Sequence, residues 1–191
     1  MVTISEALYL AFLGALALER GFELALSQRN ATRALAQGGF EVGRRHFRVM
    51  AALHTLFLAA CALETLLLHR RFPGLLGWIA LANALLAQGV RYWAIASLGD
   101  RWNTRVIVVP GLPPVTRGPY RWIRHPNYDA VILEIACVPL IHGAWITALV
   151  FSVANAAVLM VRIRVEERAL GEGWARAFAR APRFIPGGPR D

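Results

Sequence analysis

Apolar residues in this chain come in long runs broken by short arginine-bearing loops, not in strict alternation. A helix needs about 20 mainly apolar residues to cross a bilayer. The pattern yields five such segments, near residues 4–26, 49–68, 75–98, 128–140 and 144–161. The last two read as a hairpin turning at Pro139-Leu140-Ile141-His142-Gly143. The fourth is short for a full span, and Pro139 is a poor helix-interior residue, lacking the N–H and crowding the preceding turn. The predicted architecture is all-α: an integral membrane helical bundle of about five transmembrane helices. Residues 1–98 form its N-terminal spans, and residues 99–191 form a loop, the helical hairpin and a tail. The loop after the third span contains Val106-Ile107-Val108-Val109-Pro110, which reads as a short strand or extended segment. The tail Pro182-Arg183-Phe184-Ile185-Pro186-Gly187-Gly188-Pro189 is too rich in proline and glycine for regular helix and reads as an ordered strap followed by a frayed end.

Composition strengthens the membrane reading. Hydrophobic residues make up 57% of the chain, above the soluble norm of about 45–50%. The net charge of +9 comes from 21 basic residues, all arginine. The arginine and alanine bias fits a GC-rich genome. Seventeen arginines fall in the loops after the first and third segments and in the tail; only Arg70 and Arg71 lie in the opposite loops. By the positive-inside rule the basic loops face the cytoplasm and the N-terminus lies outside, as in a bacterial inner membrane protein. Spread over separate loops in this way, the arginines do not form a nucleic-acid-binding face. The first run lacks a basic n-region and a cleavage site, so it is kept as a span rather than a signal peptide. Cys61 and Cys137 sit in apolar runs and read as buried thiols without a disulfide.

Glu19, Arg20, Glu23, His54, Glu64, Asn83, Gln88 and Arg91 fall inside predicted spans. Charges at such depth pair with one another or face a cavity. Glu19 and Glu23 share a helix face and are candidates to pair with Arg91; the alternative is that some of these groups line a tunnel for a lipid substrate.

The chemistry-bearing residues gather in two polar clusters flanking the hairpin. The first is Gly118-Pro119-Tyr120-Arg121-Trp122-Ile123-Arg124-His125-Pro126-Asn127-Tyr128. Pro126 forces His125 out of helical geometry, and Asn127 is a candidate N-cap for a helix starting at Tyr128. Arg124, His125 and Asn127 would then surround a helix N-terminus, which attracts anions. An interface anchor with Tyr120, Trp122 and Tyr128 as an aromatic belt is the competing reading. The second cluster is Arg162-Ile163-Arg164-Val165-Glu166-Glu167. A helix continuing through it puts Arg162 and Glu166 on one face, where Glu166 would attract a cation and Arg162 an electron-rich oxygen.

Gly118-Pro119-Tyr120, Arg124-His125-Pro126-Asn127-Tyr128, an apolar hairpin, Glu166-Glu167-Arg168-Ala169-Leu170, Trp174 and Pro182-Arg183-Phe184-Ile185-Pro186 follow one another in an order that resembles the isoprenylcysteine carboxyl methyltransferase family. The resemblance covers about residues 98–186. It implies an integral membrane enzyme dependent on S-adenosylmethionine, with residues 99–191 as its methyltransferase region. It further implies cofactor contacts at Leu112, Pro113, Pro114, Val115, Tyr120, His125, Pro126, Asn127, Tyr128 and Glu166, and a substrate-side catalytic role for Arg162. Eukaryotic members carry histidine where this chain has Leu112, and leucine where it has Pro114. The implied reaction is methyl transfer to a carboxylate or acidic hydroxyl of a lipid-like acceptor, prenylcysteine-like or alkylpyrone-like. The stretch Glu19-Arg20-Gly21-Phe22-Glu23, followed by Ser27-Gln28-Arg29-Asn30, favours the smaller lipid. No metal is implied. An NADPH-dependent sterol- or steroid-type reductase is the alternative, since such enzymes end on a similar hairpin; Asp129-Ala130-Val131 and the paired glutamates fit it less well. A membrane scaffold without activity is a third reading. A soluble methyltransferase is excluded because no Gly-x-Gly-x-x-Gly follows a predicted strand.

Overall fold

A computed structural model describes residues 3–184. The fold is all-α. Five helices, α1 (Ile4–Ala36), α2 (Arg44–Leu67), α3 (Leu75–Leu98), α4 (Pro126–Leu140) and α5 (Trp145–Ala177), carry the chain. One short antiparallel pair joins β1 (Phe40–Val42) to β2 (Val106–Val108), with Phe40 opposite Val108.

Helix α1 starts at a capping box: Thr3 accepts from the Glu6 amide, and Glu6 accepts from the Thr3 amide at 2.6 Å. It outruns the expected end near residue 26. The polar residues after Leu26 do not break a helix, and no breaker occurs until Gly38, at φ 81°, ends the run. The extension is fastened to the loop after α3. Asn30 donates to the carbonyl of Trp102 at 2.8 Å, and the Ser27 hydroxyl lies 2.7 Å from Asn103 Oδ1.

Helix α3 buries a stripe of small residues: Gly77, Ala80, Ala84, Ala87 and Ala94. Small side chains let helix backbones approach closely, and α4 packs along this stripe. At Gly77 a Cβ would meet the carbonyl oxygen of Ile141 at 2.9 Å and the Phe72 ring closer still. The main core fills the space between the helices with Tyr9, Leu13, Phe57, Cys61, Ile135 and Val138.

Two expectations at α4 need correction. The helix starts at Pro126 with His125 at the cap position, not at Tyr128 with Asn127 as cap. Proline at the first helical position loses no hydrogen bond and arrives with the right φ. His125 itself is non-helical, at φ −129° and ψ 57°, as proline dictates. Pro139 does lie inside α4, next to its last residue. Its missing N–H there frees a carbonyl one turn from the helix end, and the turn at 140–144 follows directly.

Helix α5 continues well beyond the expected apolar span. It breaks at Gly171, whose φ of 73° and ψ of −170° are not helical. Its N-terminal cap residue, Ala144, has no side chain to offer. Glu64 of α2 replaces it, accepting from the amide of Thr147 at 2.6 Å, its hydroxyl at 2.7 Å and the amide of Ile146 at 3.2 Å. Both cysteines are free; Cys61 is buried and Cys137 half-buried.

Two helices, α2 and α5, are long and apolar enough to cross a membrane by length and composition, fewer than the five spans expected. Helices α1 and α3 carry the ionisable residues Glu19, Arg20, Glu23 and Arg91, and α4 has only 15 residues. Large apolar side chains nonetheless point outward from all five helices, among them Leu18, Phe22, Leu56, Trp78, Leu86, Ile132 and Val153.

Candidate active site

The two polar clusters come together. Helix α5 runs back along α4, so that Arg162 and Glu166 meet Tyr128 in the first turn of α4. Arg162 Nε donates to the Tyr128 oxygen at 2.8 Å, and Arg162 Nη2 donates to the Thr104 carbonyl at 2.6 Å. The Tyr128 hydroxyl donates in turn to Glu166. Arg162 and Tyr128 are both buried, at 5% and 6% exposure, so the bond between them is shielded from water and correspondingly strong.

The neighbouring glutamate has a different task. Glu167 accepts from His125 Nε2 at 3.1 Å and from Arg183 at 3.0 and 2.7 Å. Burial opposes its charge, but the hydrogen bonds from Arg183 and His125 hold the carboxyl below its usual range. This ties the tail to the start of α4. Backbone bonds from Arg124 to Pro182 at 2.9 Å and from His125 to Arg183 at 3.3 Å complete the strap. The expected strap is therefore present as far as Phe184; the expected frayed end lies outside the described residues.

A cavity of about 1130 Å³ opens beside these groups, somewhat larger than the usual small-molecule site of about 300–1,000 Å³. Leu112, Pro113, Pro114 and Val115 line it from the loop, and Tyr120, His125, Asn127, Tyr128, Arg162 and Glu166 line it from below. Leu112 and Pro113 are exposed, while Pro114 and Val115 are half-buried. Pro126 is fully buried and is not among the lining residues; its part is to shape the turn. The β1–β2 pair holds the loop over the cavity. Gly118, at φ 62°, lets the chain pass Ser97, whose Oγ would lie 2.0 Å from an added Cβ.

Leu170 and Trp174 belong to the motif order read from the sequence, whereas Phe178 and Glu134 were not singled out there. Trp174 lies against His125 with ring centroids 5.6 Å apart, and His125 stacks on Tyr128 at 5.2 Å. Leu170 and Phe178 join Trp174 on the cavity wall. A four-residue spacing from Arg162 through Glu166, Leu170 and Trp174 to Phe178 was the available signal. Glu134 of α4 is buried at 4% exposure within a charged cluster in the bundle. There Glu23 and Arg91 are paired at 2.6 Å, Glu19 accepts from Gln88 at 2.8 Å, and Glu134 lies 3.7 Å from Arg20 and 3.8 Å from Arg91. The expected pairing of Glu23 with Arg91 is present, and Arg20, Glu23, His54 and Arg91 also face the cavity.

The donor set fits a cationic methyl donor. Glu166 supplies a carboxylate, and the Oδ1 atom of Asn127 is buried with no hydrogen-bond partner. Tyr120 keeps its proton, its ionisation pushed up by burial and by the carboxylate of Glu166.

Residues 78–172, from α3 past Glu166, match the isoprenylcysteine carboxyl methyltransferase (ICMT) family. The chain is also similar to "Uncharacterized protein YpbQ" of Bacillus subtilis (strain 168), 42% identical over 158 residues, covering 82% of this chain and 93% of that protein. A Haemophilus influenzae protein (strain ATCC 51907 / DSM 11121 / KW20 / Rd), described as "Uncharacterized protein", is 27% identical over 152 residues, covering 79% and 88%. The sterol-type reductase alternative gains no support from these matches. The matched segment carries the Arg162–Tyr128–Glu166 chain and its hairpin, and the protein belongs to the ICMT family, a family of membrane methyltransferases.

Proposed function

We propose that this protein is an S-adenosylmethionine-dependent O-methyltransferase of the bacterial inner membrane. Its acceptor is a lipid-like molecule bearing a carboxylate or acidic hydroxyl, prenylcysteine-like or alkylpyrone-like. The observation that carries this reading is the single cavity that joins Glu166, Asn127 and Tyr128 to an apolar and charged interior between the helices. One volume gives a polar donor and a greasy acceptor a common meeting place.

All five helices are taken to lie in the membrane. Large apolar side chains face outward and the charged residues pair inside, the distribution a lipid environment requires. The arginine-rich loops place the cavity mouth on the cytoplasmic side, where the cofactor would enter through the loop between α3 and Tyr120.

When bound, S-adenosylmethionine supplies a methyl group made electrophilic by its sulfonium. Glu166 would attract the positive end of this molecule. Asn127 Oδ1 would accept from its polar groups, and Leu112, Pro113, Pro114 and Val115 would cover it. The aromatic faces of Tyr120 and His125, backed by Trp174, suit a flat ring or a cation. Arg162 would orient the acceptor oxygen. Methyl transfer needs donor and acceptor in line at short range, so positioning supplies most of the acceleration.

The test separates the two roles. Arg162→Ala should lower turnover by on the order of 10²-fold while leaving S-adenosylhomocysteine affinity nearly unchanged, with Arg162→Lys intermediate. Unchanged turnover in Arg162→Ala would remove its catalytic role.

A further inference from the structure

Arg162 is anchored at two of its three nitrogens. Nε donates to Tyr128 at 2.8 Å and Nη2 to the Thr104 carbonyl at 2.6 Å, while no residue among those described takes a hydrogen bond from Nη1. A guanidinium is a rigid plane, so two anchored nitrogens fix the direction in which the third points. The Tyr128 anchor stands on a helix. The Thr104 anchor is a carbonyl on the loop after α3, and it is no better placed than the loop itself.

That loop is fastened from α1 by the run Ser27-Gln28-Arg29-Asn30. All four side chains reach it: Ser27 to Asn103 and Thr104, Gln28 to Arg105, Arg29 to Asp100 at 3.8 Å, and Asn30 to the carbonyls of Trp102 and Gly99 at 2.8 and 3.3 Å. Ser27 grips the residue that anchors Arg162, and the hydrogens around it are determined. Asn103 Oδ1 accepts from the Arg105 amide at 3.1 Å, so it is an acceptor, and Ser27 donates to it at 2.7 Å. A hydroxyl has one hydrogen and two lone pairs. With its hydrogen committed, Ser27 Oγ accepts twice from Thr104, from the amide at 3.0 Å and from the hydroxyl at 2.7 Å. Thr104 is thus held by its amide and its side chain at once, which keeps its carbonyl aimed at Arg162. Ser27 is 2% exposed and is not among the residues lining the cavity.

We infer that Ser27 is a positioning residue for methyl transfer: through Thr104 it sets the angle at which Arg162 presents Nη1 to the acceptor oxygen. The inference rests on the methyltransferase reading above. Ser27 touches neither donor nor acceptor, so its effect falls on turnover rather than on the binding of either. In-line transfer is sensitive to such an effect, since a misplacement of about 1 Å can cost on the order of 10²-fold in rate.

The experiment compares detergent-purified wild type with Ser27→Ala, Ser27→Thr, Arg162→Ala and the double variant Ser27→Ala/Arg162→Ala. The acceptor probes are farnesylcysteine and a long-chain alkylpyrone. Ser27→Ala should lower kcat by roughly 10–10²-fold, with KM little changed. Ser27→Thr keeps the hydroxyl and should restore most of kcat. Adding Ser27→Ala to Arg162→Ala should cost nothing further, because Ser27 acts only through Arg162. Equal calorimetric affinity for S-adenosylhomocysteine in wild type and Ser27→Ala shows that the variant is folded; if it is not, Ser27→Cys, whose thiol donates and accepts weakly, is read in its place. A second readout needs no acceptor. In arginine labelled with nitrogen-15, the Nε–H resonance of Arg162, assigned by its loss in Arg162→Ala, should be shifted or broadened in Ser27→Ala and normal in Ser27→Thr. This resonance decides if neither probe is methylated. An unchanged resonance or a wild-type kcat in Ser27→Ala, or losses that multiply in the double variant, would overturn the inference and leave the methyltransferase reading standing. A wild type that binds no S-adenosylhomocysteine would overturn that reading and this inference with it.

Discussion

Arg162 donates from Nε to the hydroxyl of Tyr128 across 2.8 Å, joining two residues 34 apart in the chain. The Tyr128 hydroxyl passes its own hydrogen to Glu166. One phenol oxygen thus sets the positions of both charged residues that the site needs.

Tyr128→Phe should expose this dependence. It leaves a buried guanidinium nitrogen without its acceptor, a loss of about 1–3 kcal/mol. Denaturant unfolding in detergent should show a shift of that size. Stability equal to wild type would mean that Arg162 is held by the Thr104 carbonyl alone.

The strap should respond to acid. The Glu167 carboxyl is held below its ordinary value of 4.5 in the folded protein. A depressed carboxyl stabilises the fold above the unfolded value and loses that stabilisation as pH falls through the folded one. The docking of residues 181–184 should therefore weaken as pH falls below about 4.5, and Glu167→Gln should weaken it at neutral pH. Trypsin cleavage after Arg180 and Arg183 at neutral pH checks the variant, which should be cut faster than wild type. Equal rates would show that the backbone bonds suffice.

The buried pair in the bundle should behave as a unit. Arg91→Met leaves Glu23 with Arg20, 3.1 Å away, as its remaining cationic partner, and breaking a buried pair from one side costs up to roughly 3–5 kcal/mol. Adding Glu23→Leu should recover most of that loss. Thermal unfolding of the two single variants and the double variant forms the cycle, and simple additivity would contradict the coupling.

Glu64→Ala should unfasten the start of α5. The buried Thr147 amide and hydroxyl and the part-buried Ile146 amide lose their acceptor, a cost of roughly 1–3 kcal/mol. Hydrogen exchange at Ile146 and Thr147 should speed up markedly, and protection equal to wild type would reject the cap.

Helix boundaries governed by local chemistry were legible in the sequence. The limits of α3 are those the hydrophobic run predicts, and Pro126 displaced His125 as proline must. What was illegible depended on partners distant in sequence. Nothing local marks Phe40–Val42 as a strand, because its only partner is Val106–Val108. Glu64 looked like an intramembrane charge until α5 arrived with an uncapped end. Glu134 sat unnoticed in an apolar run, since its relation to Arg20 and Arg91 exists only once α1, α3 and α4 are assembled. At the site, the candidate residues other than Pro126 line one cavity. The division of labour between Glu166, facing the cavity, and Glu167, fastening the strap, required the actual path of the tail.

The central claim is that Glu166 and its neighbours bind a sulfonium methyl donor. Calorimetric titration of the detergent-purified protein with S-adenosylhomocysteine, in wild type and Glu166→Ala, tests it most directly. The account predicts saturable binding to the wild type, lost or greatly weakened in the variant. No binding to the wild type, or equal affinity in both, would contradict it.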